Sequence, residues 1–389
     1  MMRSLTSLLI ASIAIVISLL GIAYFLSQKS EKTTLPTYFT YTEEELLLLR
    51  SLPPPGTSIT KENIELWQEI MFDLVKDEQM FDTISSRLYA YFFTALRDTA
   101  FLSYNLHNRF AGSVDPISQS ILCLFFAKDC GRLSQKNSGD PYSRAIAEIV
   151  LTKVKARMAE DEKSQFFYPE IVGEGYWKGN KPYLGLEVGS WKTWLIKSGS
   201  RFRSLPPPPP NDPEWKRQLD LVGEAVKTIS DTQKISVISW SGGPATIGLT
   251  GQWIEIASNY MNQHAPSLDK VLLVQSTLAM AMADAIIAVF DSKYTFWVKR
   301  PIMFDSKLIS IMPTPNYPTY PGIHTTISFT AATILSNFFP ENKQHWINFA
   351  DEDSQSRLWG GIDFPIDLEQ GKIQGEELGR SINLMYERE

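Results

Sequence analysis

The segment 278–301, LAMAMADAIIAVFDSKYTFWVKRP, starts as an apolar helix and ends with Lys293, Lys299 and Arg300 set among Tyr294, Phe296, Trp297 and Val298. A solvated helix separates its charged face from its apolar face. Here the two are interleaved, so some of the cations point where the apolar side chains point. A buried cation needs an anion. Two sources are open: a carboxylate of this chain, with Asp284 and Asp291 close in sequence, or a bound oxyanion. Arg300 offers a planar fork of donors and Lys293 a point charge, a pair suited to a tetrahedral oxyanion.

Two more stretches of the C-terminal third carry matching chemistry. PTPNYPTYPGIHTT (313–326) is a Pro-rich loop that opens an apolar helix at Gly322-Ile323-His324. Unpaired N–H groups and the positive end of the helix dipole favour an anion there. His324, one of only four histidines, is the natural acid for protonating a leaving oxygen. SRLWGGIDFPIDLEQG (356–371) sets Arg357 at one helix end and Asp363 and Asp367 around the turn into the last helix. Singly, each residue has an ordinary reading: an ion pair for Arg300, a cap or core position for His324, dipole compensation for Arg357.

In combination these stretches resemble the type-2 phosphatidic acid phosphatase and vanadium-dependent haloperoxidase superfamily. The likeness lies in Lys293-x6-Arg300-Pro301, Pro321-x-x-His324, and Ser356-Arg357 followed by Asp367. The upstream GSRFRSLPPPPPNDPEWKRQLDLVGEAV (199–226) and GQWIEIASNYM (251–261) resemble its haloperoxidase-like bacterial branch. The resemblance implies an all-α helical bundle in which Lys293, Arg300 and Arg357 hold phosphate or vanadate. It implies that Gly322 and Ile323 bind oxyanion oxygens, that His324 is the acid and that Asp367 is a bracing carboxylate. Two positions depart from the pattern. The family's Ser-Gly pair before His324 is Gly322-Ile323 here, and Asp363 stands where a His attacks phosphorus or coordinates vanadium.

Three functions follow from this. A phosphatase would cleave phosphate monoesters, in a small molecule or a lipid, with Asp363 as nucleophile and no metal cofactor. A haloperoxidase would use vanadate. A catalytically impaired relative would bind an oxyanion or a partner, with Asp363 paired to Arg300 or Arg357.

The net charge of −6 excludes bulk nucleic-acid binding. Residues 5–26 carry no charge and are long enough to span a bilayer. No other segment reads as apolar enough to span. This predicts a membrane anchor or cleaved signal over 1–27, with the body periplasmic or at the cell surface. Residues 28–60 are polar and Pro-rich around the amphipathic piece EEELLLLRSL and predict a tether; 61–389 predicts the helical domain. Helical periodicity runs through 61–76, 80–109, 115–128, 141–163, 214–228, 248–264, 268–290, 323–339, 341–358 and 367–387. The Gly-, Trp- and Pro-rich region 165–212 predicts a long irregular loop wrapping the helices, its five prolines forming a stiff connector. Cys123 and Cys130 are seven apart, too far for a disulfide on one straight helix, and predict buried thiols unless the helix ends at Asp129-Cys130-Gly131; no metal site is evident.

Overall fold

The computed structural model describes residues 34–134, 139–162, 168–243 and 245–386. The segment 5–26, expected in a membrane, lies outside them. The N-terminal half contains α1 (Glu43–Ser51), α2 (Lys61–Asp77), α3 (Asp82–His107), α4 (Asp115–Phe125), α5 (Cys130–Ser134) and α6 (Pro141–Glu162). After a long connection come α7 (Glu214–Lys227), α8 (Asp231–Ser239), α9 (Gly248–His264) and α10 (Leu268–Phe296). The last third holds α11 (Pro301–Phe304), α12 (Ile323–Phe338), α13 (Lys343–Trp359) and α14 (Pro365–Tyr386). Pairing between extended segments among the described residues is limited to isolated bridges, so the fold is all-α as expected.

The apolar periodicity of α10 runs around its whole circumference, and the helix is accordingly buried on all sides between α3 and α12. By length and apolarity it too could cross a membrane, contrary to the sequence reading, but 94% of its most apolar window is inside the protein. It is the core helix. α12 packs on α10, α13 and α14, so the three motif-bearing segments converge on one end of this layer. α8 escaped the periodicity reading because DTQKISVIS is rich in β-branched and polar residues; a Ser230–Gln233 capping box fixes its start.

Residues 168–213 form no α-helix, only short 3-10 turns at Val188–Ser190 and Gly199–Phe202, and strap across α10. The strap is held by a buried carboxylate: Asp284 accepts from the N–H groups of Trp194 (2.6 Å), Leu195 (2.7 Å) and Ile196 (3.0 Å). Asp98 does the same for the N-terminal segment, accepting from the Tyr38 and Phe39 N–H groups and the Tyr41 hydroxyl. Residues 35–52 therefore lie against the bundle, with Leu49 in its core.

The cysteines correct the expectation of free thiols. α4 ends at Phe125, the chain bends at Phe126, and Cys130 returns to form a disulfide with Cys123, Cα–Cα 5.0 Å. The broken helix removes the separation that a straight one would impose.

Candidate oxyanion site

The interleaved cations of the opening segment are explained by where α10 stops. Phe296 is its last residue, and Trp297 takes a left-handed conformation (φ 52°), donating its N–H to Lys293 O (2.9 Å). This reversal leaves Lys293 on the last buried turn and swings Arg300 back into the same interior. The aromatic residues between them pack the strap: Trp297 meets Trp177, Tyr183 and Tyr294. Lys299 turns outward over the Phe304 ring.

Lys293 is fully buried and donates to the carbonyls of Pro318 (3.0 Å), Thr319 (2.6 Å) and Pro321 (2.7 Å). Burial, then the neighbouring Arg300 charge, pulls its ammonium down to about 7, while Asp363 and Asp367 oppose the shift. Three carbonyl acceptors need three N–H bonds, one more than a neutral amine has, so the geometry is that of the ammonium. Lys293 thus spends its donors on fixing the 313–322 loop.

Arg300 is also buried, and its partner is neither Asp284 nor Asp291; the latter pairs with Arg203 and Tyr168. Arg300 donates through Nε to Tyr317 O (3.1 Å) and through Nη1 to Ile362 O (3.1 Å) and Asp363 Oδ1 (2.5 Å). Its Nη2 is buried with no partner among the described residues. Asp363, 2% exposed, has Oδ1 on Arg300, while no hydrogen bond among the described residues reaches Oδ2. The internal ion pair foreseen for Asp363 is made with Arg300.

Asp367 does not brace Asp363 directly. Its Oδ2 accepts from Thr319 Oγ1 (2.7 Å) and the Phe364 N–H (2.6 Å), and its backbone carbonyl accepts the Gly322 N–H (2.9 Å). Burial, then the Asp363 charge, pushes its carboxyl up to about 7. The expected oxyanion contact from the Gly322 amide is therefore consumed inside the protein. The Ile323 side chain goes into the main core. The first-turn N–H groups of Ile323, His324 and Thr325 remain without acceptors in the backbone network, as helix geometry requires.

His324 is 8% exposed, and its Nδ1 donates to Asp353 Oδ1 (2.8 Å). Asp353 is fixed in turn by Ser328 Oγ (2.5 Å), which accepts from Trp253 Nε1 (2.8 Å). This fixes the ring and leaves Nε2 as the working nitrogen. Arg357 is buried; its Nε donates to Ser356 Oγ (2.9 Å), and its terminal nitrogens make only long contacts, Nη1 3.3 Å from Met312 Sδ and Nη2 3.3 Å from Val237 O. Burial pulls its guanidinium downward, against the fields of Asp353, Asp363, Tyr317 and Asp82.

Tyr317 and Asp82 join these groups into one site. The Tyr317 ring lies 4.9 Å from Arg300 Cζ and 5.1 Å from Lys293 Nζ. Its hydroxyl, pushed to about 12 by burial, feels Arg300, Asp363, Asp82 and Arg357. Asp82, on the first turn of α3, feels His324, Asp353 and Arg357, and burial pushes it up to about 6; the part of its surface left open tempers that push. Sequence reasoning missed Asp82, Tyr317, Thr319 and Asp353. Only Asp353 carried a signal: it precedes Arg357 by one helical turn and shares its face.

Solved structures share this fold. A bacterial vanadium-dependent iodoperoxidase superposes with a TM-score of 0.66 at 19% identity, covering 85% of this chain and 97% of that one. A bacterial vanadium-dependent chloroperoxidase matches in its apo form (TM-score 0.59, 12% identity, 88% and 98% coverage). Its holo form gives 0.57, 13%, 92% and 97%. No family model and no curated protein matches the sequence. The chain thus has the vanadium-dependent haloperoxidase fold that the sequence resemblance implied.

The donor set does not fit an imidazole-ligated vanadate. Asp363, which the sequence resemblance sets at the position of the nitrogen ligand, is a carboxylate already paired with Arg300. The N–H groups of Lys293 and Gly322 are spent on carbonyls. What remains available to an oxyanion is Arg300 Nη2, Arg357, the start of α12 and His324.

Proposed function

We propose that this protein is a metal-independent phosphatase acting on phosphate monoesters through a phosphoaspartyl intermediate at Asp363. The observation that carries this reading is the state of Asp363: Arg300 holds one oxygen, and the other has no hydrogen bond among the described residues. A carboxylate oxygen without a hydrogen bond keeps its lone pairs available for attack. Oδ2 attacks phosphorus while Arg300 Nη2 and Arg357 hold the non-bridging oxygens. The bond from phosphorus to the leaving oxygen breaks, and His324 Nε2 gives that oxygen its proton. Water, deprotonated by the now neutral His324, then attacks the phosphoaspartate, releasing phosphate and restoring the carboxylate.

The substrate is a small phosphate ester or the headgroup phosphate of a lipid. Membrane attachment through 5–26, with the body outside the cytoplasm, is part of the proposal. The Cys123–Cys130 disulfide supports it, because such bonds persist in oxidising compartments.

A second reading, an oxyanion-binding relative without turnover, draws on the internal commitment of the Lys293 and Gly322 donors. Release of phosphate from p-nitrophenyl phosphate by the full chain in the presence of a chelator separates the two. The phosphatase reading expects turnover that Asp363→Asn lowers by about 10³-fold or more, as for loss of other nucleophiles. No release, or equal rates for the two proteins, overturns it.

A further inference from the structure

Asp82 is remote in sequence from all three motifs, yet its carboxylate lies near His324. Its Oδ1 accepts the Leu249 N–H (3.1 Å) and so caps α9. The fit is close enough that a Cβ on Gly248 would fall 2.1 Å from that oxygen, at a φ of +69° that also favours glycine. Capping uses one oxygen. The other, Oδ2, has no hydrogen bond among the described residues and faces the loop at Gly242. A carbon placed as Cβ on Gly242 would stand 3.4 Å from Asp82 Oδ2 and 3.6 Å from His324 Cε1. Asp82 Oδ2 and the His324 ring therefore lie within about 7 Å of each other, close enough for one small ligand to reach both. Asp82 is also partly exposed, unlike Asp353 and Asp363.

His324 gives its proton to the leaving oxygen, so the leaving alcohol has to lie on the His324 side of phosphorus, beside Asp82. We propose that Asp82 is a specificity-determining residue that selects phosphate monoesters of amino alcohols. Its Oδ2 receives the substrate ammonium and repels esters whose alcohol carries a second anion. The reaction rests on the phosphatase reading above, but the selectivity does not depend on turnover. A carboxylate whose only task is to cap α9 would not discriminate between ligands, and Asn caps helices as well as Asp does.

The test uses probes that cannot be hydrolysed. 2-Aminoethylphosphonate and 3-phosphonopropionate have the same chain length and opposite terminal charge. Calorimetric titration of the full chain should give an affinity at least about tenfold higher for the amino compound, the scale of one close charge–charge difference. In Asp82→Asn the ratio should collapse to within about twofold, whereas a purely structural loss would weaken both ligands alike. Equal affinities in the parent, or an unchanged ratio in the variant, overturn the assignment of Asp82. Selective binding without phosphate release from any ester leaves Asp82 standing and removes the phosphatase reading. Binding of neither phosphonate removes both.

Discussion

Asp284 and Asp363 are both buried carboxylates, one in the middle of α10 and one in the turn before α14, and they are used in opposite ways. Asp284 is saturated: both oxygens accept backbone N–H groups, three in all, from the strap. Burial pushes its carboxyl towards about 7, and those N–H groups, with Arg157, oppose the push. Asp363 has one oxygen engaged and one open, next to an Arg300 nitrogen and an Asp367 oxygen that are buried without partners among the described residues. Buried polar groups are as a rule satisfied. A saturated carboxylate fastens the chain, whereas a cluster of half-satisfied groups of both signs is suited to meet a ligand. The amino-acid type is the same, and the completeness of its partners separates the roles.

The sharpest way to break this comparison is to change the charge at the open site. Asp363→His removes a carboxylate that repels an incoming oxyanion and frees Arg300. Repulsion between unit charges about 4 Å apart is worth roughly 4 kcal/mol at an effective dielectric of 20. The variant should bind vanadate up to about three decades more tightly in calorimetric titration. Equal affinity would mean that Asp363 does not limit the site.

At the saturated site the effect should fall on stability instead. Asp284→Ala leaves three backbone N–H groups under the strap without their acceptor, at about 1–3 kcal/mol for each that stays buried. Partial detachment of the strap relieves some of this, so a loss of about 3 kcal/mol is expected from urea unfolding. A change within experimental error would show that the strap is held by its tryptophans alone.

A smaller effect is expected from Asp367, whose folded carboxyl is raised to about 7 by burial and by Asp363. The folded protein then holds a proton that the unfolded chain gives up near the ordinary carboxylate value. Its contribution to stability is therefore greatest at low pH and falls as pH rises from about 4 to about 7. Lys293 shares the charge and reduces the amplitude. Melting temperatures across that window should slope downward in the parent and less in Asp367→Asn. Identical slopes would place the proton elsewhere.

The smallest effect concerns the hydroxyl missing from the second motif. A Cβ on Gly322 would stand 3.1 Å from Asp367 O and 3.2 Å from Thr325 Oγ1. Gly322→Ser should therefore destabilise by about 1 kcal/mol, the low end of overpacking, and not improve oxyanion binding. Tighter vanadate binding by this variant would show that the loop yields more readily than its contacts imply.

The helices and the converging motifs were legible in the sequence because periodicity and fixed spacings are local signals. The end of α10 was read at 290, six residues short of Phe296, because Asp291 and Lys293 interrupt the apolar run although the helix continues through them. The internal consumption of donors was not legible. Nothing in the sequence says that Lys293 will point at three carbonyls of a loop 25–28 residues away, or that the Gly322 N–H will meet Asp367 O. Asp353 hides in DEDSQSR, where, of the three acids, Asp351 and Glu352 are exposed and Asp353 turns inward. Asp82 is invisible for a different reason: its relation to His324 exists only because α3 delivers its first turn to the start of α9. The disulfide hung on where the helix ends, and the break at Phe126 has no glycine or proline to announce it.

The central claim is that Asp363 forms a covalent bond to phosphorus, and acid quenching during turnover tests it most directly. The full chain is mixed with p-nitrophenyl phosphate, quenched in acid and reduced with borohydride, which converts an aspartyl-phosphate to homoserine. Peptide mapping by mass spectrometry should then find homoserine at position 363 and unmodified aspartate at 82, 353 and 367. Steady phosphate release with position 363 unmodified, or with the phosphoryl group on His324, would contradict the account.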